Sequence, residues 1–186
     1  DGYIKVNGID IKKYDTKEYR KNIGTVFQDS NVYAFSIKDN LDIYSEHQKD
    51  GISFTIDKVH LMQQLKNHEN ELTKEFSDNG IVLSVGEIQK LAIARILDGE
   101  FGLLLFDEPS SALDPIAEEQ VMKLIYNMAS TTTTIVIAHR LSSIRDMDRI
   151  LVVDNGMIIE EGNHNQLMDT KGLYYQMWNT QAEKYK

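Results

Sequence analysis

Leu103-Leu104-Leu105-Phe106 is a continuous apolar run that stops at two acids, Asp107-Glu108. Four apolar residues in a row, closed by charge, predict a strand buried on both faces, as in a parallel sheet covered by helices. The acids then stand at the strand's C-terminal end, the edge at which open α/β sheets bind ligands. The first carboxylate can orient a hard cation through water, since such ions take oxygen ligands. The second can hold a water for attack on a phosphoryl group. Read alone, the same pattern is also met by a strand end with two solvated acids.

The rest of the chain alternates strands with helices. Ile4, Val6, Ile9 and Ile11 flank Asn7-Gly8, a hairpin signal. Residues 23–27 form a short β-rich run ending at Gln28, and Ser36 caps a short helix through Asn40. The stretch 53–75 is polar and loosely helical. Ser84-Val85-Gly86-Glu87 is a capping box, and Ile88, Leu91, Ala92 and Ile96 continue it at helical spacing up to Asp98-Gly99. Asp114-Pro115 opens another helix, with Ala117, Val121, Leu124, Ile125 and Met128 on its core face. Residues 133–138 predict a second buried strand, and 150–153 pairs with 157–159 around Asn155-Gly156. Tyr174, Tyr175 and Trp178 place a C-terminal helix on the body. This order predicts an α/β domain with a largely parallel sheet.

Composition narrows the partners. The 186 residues carry a formal net charge of -9, which argues against nucleic acid held by phosphate contacts and against anionic lipid. There is no cysteine, so no disulfide framework or thiolate metal site exists, in keeping with a reducing compartment. No apolar run reaches the roughly 18 residues of a membrane span, and the opening residues lack a signal-peptide pattern. The chain starts without Met inside a strand pattern, as a cut through a longer protein would.

The chemistry becomes specific when the segments are taken together. Leu83-Ser84-Val85-Gly86-Glu87-Ile88-Gln89-Lys90-Leu91-Ala92-Ile93-Ala94-Arg95 resembles the signature motif of the ATP-binding cassette family. Leu103 through Glu108 resembles its Walker B motif, and Pro109-Ser110-Ser111-Ala112-Leu113-Asp114 its D-loop. Val26-Phe27-Gln28-Asp29 is similar to the Q-loop, and Ile135-Val136-Ile137-Ala138-His139-Arg140 to the switch histidine segment. These motifs stand in family order across nearly the whole chain.

The resemblance implies a P-loop NTPase-like α/β cassette with a mostly parallel core sheet and a helical subdomain. One cassette would fill 1–186, with the subdomain at about 40–82 and the signature helix at about 84–98. It implies ATP and Mg²⁺ as cofactors. Glu108 and His139 would serve hydrolysis, Gln28 and Asp107 the metal, and Gln28, Ser84, Gly86, Glu87, Asp107 and Asp114 the nucleotide. Each role suits its residue. Gln28 offers an amide oxygen, His139 can donate to a phosphate oxygen, and a helix N-terminus at Ser84 to Glu87 favours anions. Ser84 and Glu87 cap their helix as well, and Asp114 caps the next. Gly86 lets backbone approach a ligand closely. His47, His60, His68 and His164 have no motif context and are expected on the surface.

Arg20-Lys21-Asn22-Ile23-Gly24, Ser36-Ile37-Lys38-Asp39-Asn40-Leu41 and Glu160-Glu161-Gly162-Asn163-His164-Asn165-Gln166-Leu167 look like exporter-type cassettes. The chromosome-organising relatives interpose a long coiled coil, which this chain lacks. Exporter cassettes imply a transmembrane domain fused on the N-terminal side, a second cassette paired head to tail, and the cytoplasmic face of the cell membrane. Two positions depart from the signature pattern: Val85 stands for Gly, and Glu87 for Gln, which puts a negative charge near the nucleotide if it points inward. The segment Glu75-Phe76-Ser77-Asp78-Asn79-Gly80 keeps only Gly80 and an acid of its pattern. No Gly-x-x-x-x-Gly-Lys-Ser/Thr occurs in the sequence. In the family that loop precedes the hairpin at Ile4, which here means upstream of Asp1. The expected function is therefore the motor of a membrane exporter, N-terminally truncated and inactive alone. The alternative is a cassette that dimerises or regulates without hydrolysis.

Overall fold

The structure is a computed structural model that describes residues 2–43, 59, 70–97 and 99–183. Its centre is a parallel sheet of β3 (Ile23–Val26), β4 (Leu103–Asp107) and β5 (Thr133–Ile137), in the order β3-β4-β5. Two antiparallel hairpins flank it. β1 (Lys5–Val6) pairs with β2 (Ile9–Asp10) near the start, and β6 (Ile150–Asp154) pairs with β7 (Met157–Gly162) near the end. Both turn through an Asn-Gly pair with positive φ, at Asn7-Gly8 and Asn155-Gly156. Such turns match the twist of the strands they join, and these residue types reach positive φ at least cost.

The helices are α1 (Thr16–Lys21), α2 (Ile37–Leu41), α3 (Val85–Leu97), α4 (Pro115–Ala129), α5 (His164–Thr170) and α6 (Leu173–Glu183). Most begin where a side chain satisfies free amides. Asp15 accepts from Lys17 and Glu18, Ser36 from Asp39, and Asp114 from Ile116 and Ala117. Each such cap is worth about 1 kcal/mol. Lys171 adopts a left-handed φ of 54° and divides the C-terminal tail into α5 and α6.

Two apolar clusters organise these elements. The larger joins β3, β4, α2, α3 and α4 through Val26, Ile37, Leu91, Ile93, Phe106 and Ile125. The smaller gathers Leu141, Ile150, Val152, Leu167 and Tyr174 beneath the β6–β7 hairpin. Arg95 crosses the larger one as a buried cation. Its Nε donates to the Asn40 carbonyl at 2.8 Å and its Nη1 to the Asn31 carbonyl at 2.8 Å, so the charge is taken up by backbone oxygens. That contact ties the segment after β3 to α3.

The parallel α/β plan agrees with the sequence expectation, but four details differ. Residue 133–138 does not form a buried strand: β5 alternates exposed and half-buried positions, with Ile135 52% and Ile137 58% exposed. It pairs with β4 alone, so one side of it lacks cover among the described residues. β4 itself buries Leu104 and Phe106 fully but Leu103 and Leu105 only in part. His164 is half-buried, not on the surface, and its Nδ1 lies 2.9 Å from the Tyr174 hydroxyl. Of the stretch expected to be loosely helical, 70–75 carries isolated bridges at Glu71 and Leu72, and most of the remainder lies outside the described residues. His47, His60 and His68 also lie outside them.

Candidate active site at the strand ends

Register determines which residues can meet. Val26, Phe106 and Val136 stand side by side in the sheet. Gln28 and Glu108 each follow two residues later, and His139 three, so all leave the same C-terminal edge. Asp107 is the last residue of β4 and pairs with Ile137. Gln28 is exposed and Asp107 half-buried.

At that edge the structure brings Glu108 and His139 together. Nε2 of His139 lies 2.6 Å from Oε1 of Glu108. A carboxylate only accepts, so the proton of this contact sits on Nε2. The Glu108 side chain is 14% exposed and that of His139 82%, which makes one end of the pair packed and the other open. Glu108 also has a left-handed φ of 49°, uncommon for a residue other than glycine. Its N–H donates to the Ile137 carbonyl at 2.9 Å, so β5 holds the bend that turns this side chain out of the strand. Held backbone strain of this kind concentrates at functional sites. A cavity of about 130 Å³ adjoins the pair, lined by Pro109, Ser111, Ala138 and Arg140 among others.

The loop after Glu108 is fixed from both sides. Gln89 of α3, 3% exposed, donates to the Ser111 hydroxyl at 2.7 Å and accepts from Ala112 N–H at 3.2 Å. Ser110 donates to Glu118 of α4 at 3.0 Å, and Glu118 in turn pairs with Arg140, the residue after His139. Asp114 ends the loop as N-cap of α4. The Ala117 N–H, with that of Ile116, holds its carboxyl below the usual carboxylate range. Gln89, Glu118 and Arg140 were not among the residues expected from sequence. Gln89 and Arg140 lie inside the recognised segments, but chain spacing does not say what a side chain touches.

Ser84, Gly86 and Glu87 form a separate group at the start of α3. The Ser84 N–H and hydroxyl both donate to Glu87 Oε2, at 2.8 and 2.7 Å. Glu87 therefore turns back on its own helix start, and its charge is spent there. A Cβ on Gly86 would stand 3.2 Å from Leu113 and 3.4 Å from the Ala112 carbonyl, so glycine lets α3 sit close to the loop. Among the described residues, no hydrogen bond or ion pair joins this group to Glu108 or His139.

A family model described as ABC transporter matches residues 1–111, more than half of the chain. The chain belongs to the ABC transporter family. Its relatives within that family include an ATP-dependent lipid A-core flippase of Wigglesworthia glossinidia brevipalpis, 37% identical over 98% of this chain and 32% of the flippase. The mitochondrial iron-sulfur clusters transporter ATM1 of Saccharomyces cerevisiae is 36% identical over 98% of this chain and 27% of its own length. A solved bacterial Atm1-family ABC exporter with ATP bound superposes with a TM-score of 0.86 at 34% identity, covering 98% of this chain and 32% of that one. This ABC transporter chain thus spans about a third of the length of the relatives it matches.

Proposed function

We propose that the chain is the ATP-binding and ATP-hydrolysing motor of a membrane exporter. The observation that supports this most is the contact of Glu108 with His139 where three parallel strands end together. Glu108 can hold a water as general base, and His139, once its Nε2 turns from Glu108, can donate to an oxygen of the terminal phosphate. Gln28 leaves the same edge and can orient that water or a metal ligand. The first turn of α3, at Gly86, can offer amides to an anion with help from the helix dipole, and Ser84 can join it once Glu87 releases its N–H and hydroxyl.

The donor set fits Mg²⁺. Among the described residues no three His, Asp or Glu side chains cluster as a cage. Mg²⁺ is held by one or two protein oxygens, with phosphates and water completing its shell, and Asp107 and Gln28 offer two such oxygens. Bound with ATP, the ion would neutralise charge on the phosphates. The chain itself contains no Gly-x-x-x-x-Gly-Lys-Ser/Thr to cradle them, so the chain purified alone is expected to show no appreciable turnover.

The openness of His139 supports pairing with a second cassette. Beyond the one attacking water, phosphoryl transfer is favoured by a site closed to bulk solvent, and a side chain 82% exposed needs a cover. In a head-to-tail pair, the Ser84 group of one cassette would cover Glu108 and His139 of the other. We place the 40–82 segment as a helical insert, the transmembrane domain on the N-terminal side, and the motor at the cytoplasmic face of the membrane. None of the described helices is long and apolar enough to cross a membrane. One observation favours the non-hydrolysing alternative: the Ser84 hydroxyl is already engaged by Glu87 and must be released to meet a phosphate.

Glu108→Gln in the full-length protein separates the two readings. It keeps shape and a hydrogen-bonding group but removes the base. ATP turnover should fall about 100-fold or more while ATP affinity stays within about threefold. Turnover that survives the change places the base elsewhere, and a wild-type protein that binds ATP without turnover supports the alternative.

A further inference from the structure

We propose that Gln181, on the C-terminal helix, positions His139 for the reaction. This rests on the role of His139 proposed above. β5 ends at Ile137, and the next residues leave the sheet with no strand to hold them. The His139 side chain is 82% exposed, so packing does not fix its direction either. Its backbone must be held by something else.

One primary amide does this. Nε2 of Gln181 donates to the His139 carbonyl at 2.7 Å, and its Oε1 accepts from the Leu141 N–H at 2.9 Å. The two bonds bracket Arg140 and fix the backbone just after His139. Donor and acceptor sit on one planar group, so neither bond can shift without the other. On the far side, Arg140 pairs with Glu118 and reaches the Leu113 carbonyl at 3.4 Å. The switch segment is thus held between α4 and α6.

The bracket has its own foundation. Glu160 of β7 accepts from the first amides of α6, Leu173 N–H and Tyr174 N–H. Tyr174 is 1% exposed and packs in the smaller cluster with Leu141. Trp178 lies against His164, ring centroids 4.4 Å apart. The helix that carries Gln181 is therefore anchored to the hairpin, and hairpin movement would be transmitted to His139. A displacement of about 1 Å at a reacting group can cost two orders of magnitude in rate.

The test uses the full-length protein with Gln181→Leu, which keeps volume and removes both bonds. The expected result is a kcat lower by about tenfold or more at a KM for ATP within about twofold, with melting unchanged to within a few degrees. In a His139→Ala background the same substitution should cost nothing further. Hydrogen exchange of the 139–141 segment should accelerate in Gln181→Leu. A kcat within about twofold of wild type, or an equal loss with and without His139, would overturn the proposal. If wild-type turnover proves insensitive to Glu108→Gln, the site reading fails by itself. Exchange then decides: unchanged protection in Gln181→Leu overturns the bracket, and accelerated exchange upholds it.

Discussion

β4 and β5 are neighbours in one sheet, end at one edge, and each hands a residue to the same site. They are held in different ways. β4 has a partner on both sides and buries Leu104 and Phe106 to 3% and 1% exposure. β5 has β4 alone and leaves Ile135 and Ile137 more than half exposed. Glu108 is accordingly fixed from beneath, by its strand and by the bend that Ile137 holds. His139 is fixed from beyond, by Arg140 on Glu118 and by the Gln181 amide. A site residue on an edge strand depends on contacts made after the strand has ended.

The largest expected effect lies in the packing of the two strands. Phe106→Ala should destabilise the cassette by about 3–5 kcal/mol, through lost burial and the cavity left behind. Ile137→Ala, on the exposed side of β5, should change stability by about 0.5 kcal/mol or less. Denaturant unfolding of the two variants beside the wild type measures both. Equal losses would mean that β5 is covered, and the contrast between the strands would fall.

A smaller effect concerns the anchor of α6. Burial holds the pKa of His164 below its ordinary value near 6.5, and Arg145 adds to this while Asp146 opposes it. The Tyr174 hydroxyl and the Trp178 ring also face the imidazole. Above about pH 6.5 the ring is neutral in both states and exacts no penalty. As pH falls below that value the unfolded chain takes up a proton more readily than the folded one, so stability is lost. His164→Gln should therefore flatten the decline in melting temperature between neutral and mildly acid pH, relative to wild type. An unchanged slope would show that the hairpin unit does not sense this histidine.

Much of the fold was legible because its signals are local. The caps at Ser36, Ser84 and Asp114, the proline opening α4 and the two Asn-Gly turns each depend on a few adjacent residues, and all formed. α1 was missed because Thr16–Lys21 has no apolar periodicity, although Asp15 offered a cap. β5 was misjudged because an apolar run does not reveal whether its sheet continues beyond it. His164 was misjudged because its partners, Tyr174 and Trp178, lie in another helix. At the candidate site, the motifs pointed to Glu108 and His139 and register aligned them. The supports Gln89, Arg140 and Gln181 act through contacts 22 to 42 residues apart in sequence, which no local pattern encodes.

We propose that Glu108 and His139 act as one unit at the end of the sheet. Steady-state ATP turnover of the full-length protein tests it, with Glu108→Gln, His139→Ala and the two combined. Residues that act as a unit are strongly non-additive. Each single change should lower turnover by about 100-fold or more, and the pair should fall no further than the worse single variant. Losses that multiply in the double variant, or near-normal turnover in Glu108→Gln, would contradict it.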